Sequence, residues 1–251
     1  TVVMTKWDFE KEEWTKPEGI PMDAECILVL GGDGTLLQAA RYSYGMHIPL
    51  LGINLGTLGF LTEVNSDDLE ESLQQLLDGD YTVEDRMMLE GTVITKDGEI
   101  SSVALNDIVV NRTGSLQIVR FDVWLNNTLL KRYNADGCIV STPTGSTGYN
   151  MSAGGPIVEP GADLILLTPI CAHTLNSRSI ILNAEDVVEI EVGSGRHGSK
   201  LLVEANSDGN ERISMQTGDK IVISKAQNTT TIIKLSKVSF LEILRKKMKG
   251  N

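Results

Sequence analysis

Positive charge is in short supply in this chain of 251 residues. Its net charge is -12, from 22 Lys and Arg against 34 Asp and Glu, which argues against nucleic-acid binding by phosphate neutralisation. The shortage is uneven: residues 1 to 85 hold 4 Lys or Arg and 17 Asp or Glu, while residues 86 to 251 hold 18 and 17. A cation that meets an anionic ligand must therefore come mostly from the second part or from a metal ion. Long apolar runs are missing too. None approaches the ~20 residues of a membrane span, and the first twenty residues have no signal-peptide core, so no membrane partner and a cytoplasmic location are expected. Three cysteines, Cys26, Cys138 and Cys171, lie far apart, and three histidines, His47, His173 and His197, lack ligand spacing. This predicts buried thiols, with neither a disulfide framework nor a structural metal site built from side chains.

What is present suits a globular chain large enough for two domains, 41% hydrophobic with 24 Gly and 7 Pro. In "CILVLGGDGTLLQAA" an apolar strand, Ile27 to Leu30, runs into Gly31, Gly32 and Gly34 and then into residues that suit a helix. The strand-like "IPLLGINLGTLGFLTE" ends in a second glycine-bearing loop. A helix is expected next, capped by Asn65 or Ser66, with Leu69, Leu73, Leu76 and Leu77 on one face and Gly79 after its end. Strand, helix, strand, helix predicts a parallel α/β domain over residues 1–85. From Arg86 the pattern becomes hairpins, with turns at Lys96-Asp97-Gly98 and Asn126-Asn127, and a mainly antiparallel β domain over 86–236 is expected. Residues 237–251 read as a short amphipathic helix with a solvated basic end that returns to the first domain.

Three segments can carry chemistry. Glycines admit phosphate to backbone N–H groups, and a helix N-terminus favours an anion, so "GGDGT" reads as a phosphate cradle. It is not G-x-G-x-x-G, and no G-x-x-x-x-G-K-[ST] occurs in the chain, which disfavours a hydride-transferring Rossmann enzyme and a P-loop enzyme. Asp33 inside the cradle would repel phosphate unless it accepts a proton from an attacking hydroxyl or holds Mg2+. In "LNDIVVNR", the amide of Asn106 and carboxylate of Asp107 could meet a nucleoside, or form an ordinary turn before a strand. The polar segment from Ser141 to Pro156 is longer than a connection needs and reads as a ligand-binding loop. Gly145-Ser146-Thr147-Gly148 within it is not the G-x-S-x-G of a serine hydrolase.

"GGDGT", "LND", "DGCIVSTPTGSTGYNMSAGGP" and "LTPICAHTL", in this order and spacing, resemble the NAD kinase family from Ile27 to about Ser239. The resemblance implies an N-terminal Rossmann-like α/β domain, a C-terminal β-sandwich-like domain, an active site between them, and a homodimer or homotetramer. It implies NAD as acceptor, with ATP or polyphosphate as donor and Mg2+ or Mn2+ carried on the donor phosphates. Asp33 would accept the proton of the 2'-hydroxyl on the adenosine ribose of NAD, with Gly34 beside it. Gly31, Gly32, Gly34 and Thr35 would form the phosphate-donor loop. Asn106 and Asp107 would contact the adenosine part, and Asp136 would lie near the nicotinamide end. Thr147, Gly148, Tyr149, Asn150, Met151 and Ser152 would wrap the dinucleotide, with Tyr149 against a base, and Asn210 would add a further contact.

This chain departs from the family pattern at several positions. Asp107 replaces a common glutamate, Gly148 a common alanine, and Ser179 a usual proline, while Asn134, which the resemblance also places among the NAD-binding residues, stands where some relatives carry arginine. A complete strand and helix usually precede the glycine loop in the family, and "TVVMTKWDFEKEEWTKPEGIP" lacks the apolar periodicity for both, so part of the first domain is expected to be missing from these residues. Two other readings use the same residues: a lipid or sphingoid kinase with the same glycine loop, and a non-catalytic NAD(P)-binding sensor.

Overall fold

The computed structural model describes residues 7–8, 13–14, 19–56, 59–114, 118–173, 177–195 and 198–249. It divides into two compact units, Thr1–Arg86 with Asn228–Asn251, and Met87–Gln227.

In the first unit, β1 (Trp7–Asp8) and β2 (Glu13–Trp14) pair antiparallel with each other. The main sheet holds β3 (Ile27–Leu30), β4 (Leu50–Asn54), β5 (Val64–Asn65), β6 (Thr82–Arg86) and the late strand Thr230–Lys234. β3, β5 and the late strand run parallel to β4, and β6 adds antiparallel to the late strand. α1 (Asp33–Tyr42) follows β3, and its fully buried Leu36 sits against β4 at Gly52, where a Cβ would come within 2.7 Å of Leu36 Cδ1. That approach explains a glycine in mid-strand. Leu51, Ile53, Val64, Ile233 and Leu235 form the core on which α2 (Leu69–Asp78) lays Leu69 and Leu76.

Three expectations for this unit change. The α/β sheet is mixed, because β6 enters antiparallel. A 3-10 turn, Ser66–Asp68, preceded by Asn65 at its own N-cap, comes before α2, so Asp68 rather than Asn65 or Ser66 occupies the N-cap position of the helix; Leu77, roughly 100° past Leu76 on the helix, is 81% exposed. The chain also returns to this unit at Asn228, before the expected boundary at 236. The cause is the apolar Ile232 and Ile233, both buried, in a strand whose neighbours are β4 and β6. The C-terminal helix Phe240–Met248 carries a capping box between Ser239 and Glu242 and a basic last turn.

Among its described residues the second unit holds twelve strands: β7 (Leu89–Thr95), β8 (Gly98–Ala104), β9 (Asp107–Arg112), β10 (Val119–Leu125), β11 (Thr128–Ala135), β12 (Gly137–Ser141), β13 (Leu164–Ile170), β14 (Ile180–Asn183), β15 (Val188–Val192), β16 (Leu202–Ser207), β17 (Glu211–Gln216) and β18 (Lys220–Lys225). They form two antiparallel sheets, in the orders β11-β10-β15-β18-β7-β8 and β14-β13-β12-β9-β16-β17. One apolar cluster draws Phe121, Val123, Ile190 and Ile223 from the first sheet and Ile108, Val140, Leu167 and Val203 from the second, which makes a sandwich. Asn126 and Asn127 join β10 to β11 with φ of 48° and 64°, the left-handed turn that suits strand twist.

Of the thiols, Cys138 is buried and Cys26 half-buried, but Cys171 is exposed, contrary to expectation, because it leaves β13 on a turn with φ of 46°. Among the described residues no helix is long and apolar enough to cross a membrane.

Candidate active site

Local chain geometry builds the glycine loop. Gly31 has φ of 155°, its N–H donates to the Ile53 carbonyl at 2.9 Å, and a Cβ on it would meet Thr35 Oγ1 at 2.3 Å. The glycine is needed there by the loop itself. At Gly32 and Gly34, by contrast, a Cβ would meet nothing within 4 Å among the described residues, whose packing does not call for glycine at either position. Both are exposed at the N-terminus of α1, whose N-cap Gly32 offers no side-chain acceptor to the first-turn N–H groups. Donors left open at a helix start suit an anion.

Asp33 is the first residue of α1 and half-buried. Its carboxylate accepts from the backbone N–H of Phe60 at 2.8 Å and of Leu61 at 3.1 Å, both in the second glycine-bearing loop. The approach is so close that a Cβ on Gly59 would fall 1.7 Å from Asp33 Oδ1. The acid in the cradle is thus held in a set orientation by another loop. Behind it, Phe60 stacks tilted against Phe240 at 6.3 Å, and Lys247 Nζ lies 4.9 Å from the Phe60 ring, so the C-terminal helix backs this loop.

In the second unit, β9 lies between β12 and β16, and Asp107 at its head pairs in register with Ser141. The carbonyl of Leu105 accepts from Thr142 Oγ1 at 2.6 Å, and that of Asn106 accepts from the Thr142 N–H at 2.9 Å. A Cβ on Gly145 would lie 2.1 Å from the Asn106 carbonyl oxygen, so a bare backbone is required there. Asn106 keeps a buried Oδ1 that has no hydrogen-bond partner among the described residues. Asp107 is buried, and its carboxyl is pushed up to about 7, first by burial and then by the neighbouring Asp208 carboxylate. It would carry a proton to donate near and below neutral pH.

The Ser141–Pro156 segment is more ordered than an open ligand loop. It folds into a 3-10 turn, Thr144–Thr147, and the short helix Tyr149–Ser152. Ser146 Oγ bonds the Val158 backbone, and Asn150, wholly buried, donates to the Ser146 and Pro156 carbonyls while its Oδ1 lies 2.7 Å from the Thr168 hydroxyl. The side chain of Asn150 therefore faces inward, away from the ligand-facing place expected for it. Tyr149 (46% exposed), Met151 and Ser152 face outward, and Thr147 and Gly148 are half-exposed. The Tyr149 phenol is pushed up, first by burial and then by Cys171, Asp107 and Asp136, which puts these groups within electrostatic reach of one another.

Asp136, between β11 and β12, is held by Arg112 through an ion pair of 2.8 Å from Nε to Oδ1. Asn134 is exposed on β11, and its carbonyl accepts from the His173 N–H. Asn210 lies in the β16–β17 turn and donates to the Asp208 carbonyl, which closes its own turn. The two residues missed from the sequence are Arg112 and Asp208. Both act on partners 24 or more positions away, and the signal available for Asp208 was an Asp-Gly turn, too common to single it out.

Two family models match the chain, the ATP-NAD kinase N-terminal domain over residues 5–81 and the ATP-NAD kinase C-terminal domain over residues 105–235. The chain belongs to the NAD kinase family. A relative from Agathobacter rectalis named NAD kinase is 53% identical over 93% of this chain and 82% of its own length. Another from Lachnospira eligens, also named NAD kinase, is 47% identical over 91% and 82%. The fold is that of NAD kinase structures: a yeast NADH kinase complexed with NADH superposes with a TM-score of 0.83 at 28% identity, covering 92% of this chain and 69% of its own. An NAD kinase from Archaeoglobus fulgidus in complex with ATP gives a TM-score of 0.76 at 26% identity, over 91% and 84%.

Proposed function

We infer that this protein is a phosphotransferase that moves the terminal phosphate of ATP to the 2'-hydroxyl of the adenosine ribose of NAD, giving NADP. The observation that carries the reading is Asp33, held by the Phe60 and Leu61 amides at the mouth of a loop whose Gly32 and Gly34 leave space that none of the described residues fills. Asp33 would accept the 2'-hydroxyl proton as that oxygen bonds to phosphorus and the bond to the ADP oxygen breaks. In a loose phosphoryl transition state little proton removal is needed early, so orientation matters more than basicity. The open N–H groups of α1 would face the donor phosphates. A divalent ion, Mg2+ or Mn2+, would enter on those phosphates and offset their charge; among the described residues no three acidic, His or Cys side chains gather as ligands for one.

In the second unit, Asn106, Asp107, Asp136 and Tyr149 would receive the dinucleotide, with Thr147, Gly148, Met151 and Ser152 on the exposed side of the same segment. Asn150 would order that segment from behind. A reducing compartment such as the cytoplasm suits its three unpaired cysteines, and assembly as a homo-oligomer would be read by light scattering. The deciding experiment incubates the protein with NAD, ATP and Mg2+, with diacylglycerol offered in a parallel reaction. NADP formation is the expected result. Labelled diacylglycerol without NADP would overturn the reading in favour of a lipid kinase, and tight NAD binding without turnover would overturn it in favour of a sensor.

A further inference from the structure

Asp208 takes no part in the chemistry above, yet it is buried against the one bend that aims two of the proposed nucleoside contacts. Its carboxylate accepts from three consecutive backbone N–H groups: Leu105 at 2.8 Å through Oδ2, and Asn106 and Asp107 at 2.8 and 3.1 Å through Oδ1. We propose that Asp208 is the positioning residue of the dinucleotide pocket, fixing the Leu105–Asp107 bend so that the Asn106 and Asp107 side chains face the nucleoside. The proposal rests on the NAD kinase reading.

Three features support it. The bend is tied on both sides, because its N–H groups go to Asp208 while the carbonyls of Leu105 and Asn106 are taken by Thr142 and Ser141. No backbone group from the Leu105 N–H to the Asp107 N–H is left to turn the peptide planes elsewhere. The tie is also reciprocal, since the Asp208 N–H donates to the Asp107 carbonyl at 3.0 Å. Finally, the fixed bend leaves Asn106 Oδ1 buried and, among the described residues, without a hydrogen-bond partner, an acceptor held ready for a donor. Hydrogen bonds to a charged acceptor are about twice as strong as neutral ones, and buried donors that lose their acceptor are costly.

The geometry also supplies a clean variant. Asp208 has φ of 51°, a conformation that asparagine tolerates well and alanine poorly. Asp208→Asn therefore keeps the turn while replacing one acceptor oxygen and the charge by an amide that cannot serve three donors. Kinetics of NADP formation, with NAD and ATP varied separately, are to be compared with thermal melting for the parent and for Asp208→Asn. The expected result is a rise of about 10- to 100-fold in KM for NAD, with kcat within about 3-fold and KM for ATP unchanged. A residue that merely stabilised the fold would lower the melting temperature and the active fraction and leave KM for NAD alone; that result, or no change at all, overturns the proposal. If Asp208→Asn melts too low for kinetics, calorimetric titration of NAD at 10 °C replaces them, and unweakened NAD binding overturns the proposal equally. A parent enzyme that makes no NADP would instead sink the functional reading itself.

Discussion

Two aspartates at the heads of two elements, one in each unit, are prepared in opposite ways. Asp33 is half-buried, opens a helix, and is arranged to accept: two amides from a neighbouring loop donate to it. Asp107 opens a strand, and its carboxyl is pushed up to about 7, first by burial and then by a second acid, Asp208, which itself collects the local amides. The same side chain is thus held by donated amides in one place and, in the other, is set to keep its proton up to about pH 7. The difference comes first from burial, which is deeper at Asp107, and then from the Asp208 carboxylate beside it.

The most direct way to break this contrast is Asp33→Asn, which should lower turnover by about 10²- to 10⁴-fold while NAD binding survives; steady-state kinetics with a binding titration check both halves. Gly59→Ala leaves the carboxylate in place chemically but drives a methyl group into it, since the Cβ would stand 1.7 Å from Asp33 Oδ1. A displacement of that kind should cost about 10²-fold in kcat, again with NAD binding retained.

A subtler test uses pH. The Asp107 carboxyl titrates at about 7 in the folded protein against 3.8 ordinarily. Between those values the folded state binds more protons than the unfolded state, so stability falls as pH rises through that window. Asp107→Asn has no such slope. Its melting temperature relative to the parent should therefore be higher at pH 8 than at pH 5, by about 2–4 °C per kcal/mol for a chain of this size. Equal differences at the two pH values would show that Asp107 is ionised throughout. The smallest effect is expected from Gly148→Ala, whose Cβ would meet Gly145 O at 3.3 Å, Asn106 Nδ2 at 3.4 Å and Asp107 Oδ2 at 3.8 Å. The first two are tighter than ordinary contact and are relieved by shifts of a few tenths of an ångström, so KM for NAD should move by no more than about 2-fold.

Local signals were legible in the chain and distant ones were not. The Asn126-Asn127 turn and the strand-to-helix glycine loop are written within a few residues, because turn chemistry and helix starts depend on immediate neighbours. Thr230–Lys234 reads equally well as one more antiparallel strand; its place between β4 and β6 depends on partners about 150 positions or more earlier. Leu77 matched a helical face by spacing yet fell outside it, because the face is narrowed by what it packs against. At the site, Asp33 could be picked out as an anomaly within a glycine loop. Its holders Phe60 and Leu61, the Arg112 partner of Asp136, and the three-amide grip of Asp208 required the fold, since each joins segments 24 to 103 positions apart. Asn150 was misread for a related reason: a polar residue in a polar segment looks ligand-facing until its carbonyl partners are known.

The strand Thr230–Lys234 imposes an order on biosynthesis. It fills the gap between β4 and β6, but the ribosome does not deliver it until all of Met87–Gln227 has emerged. The second unit is continuous in sequence and needs no strand from outside Met87–Gln227, whereas the first must wait with β4 and β6 unjoined, exposing strand edges of the kind that nascent-chain chaperones cover.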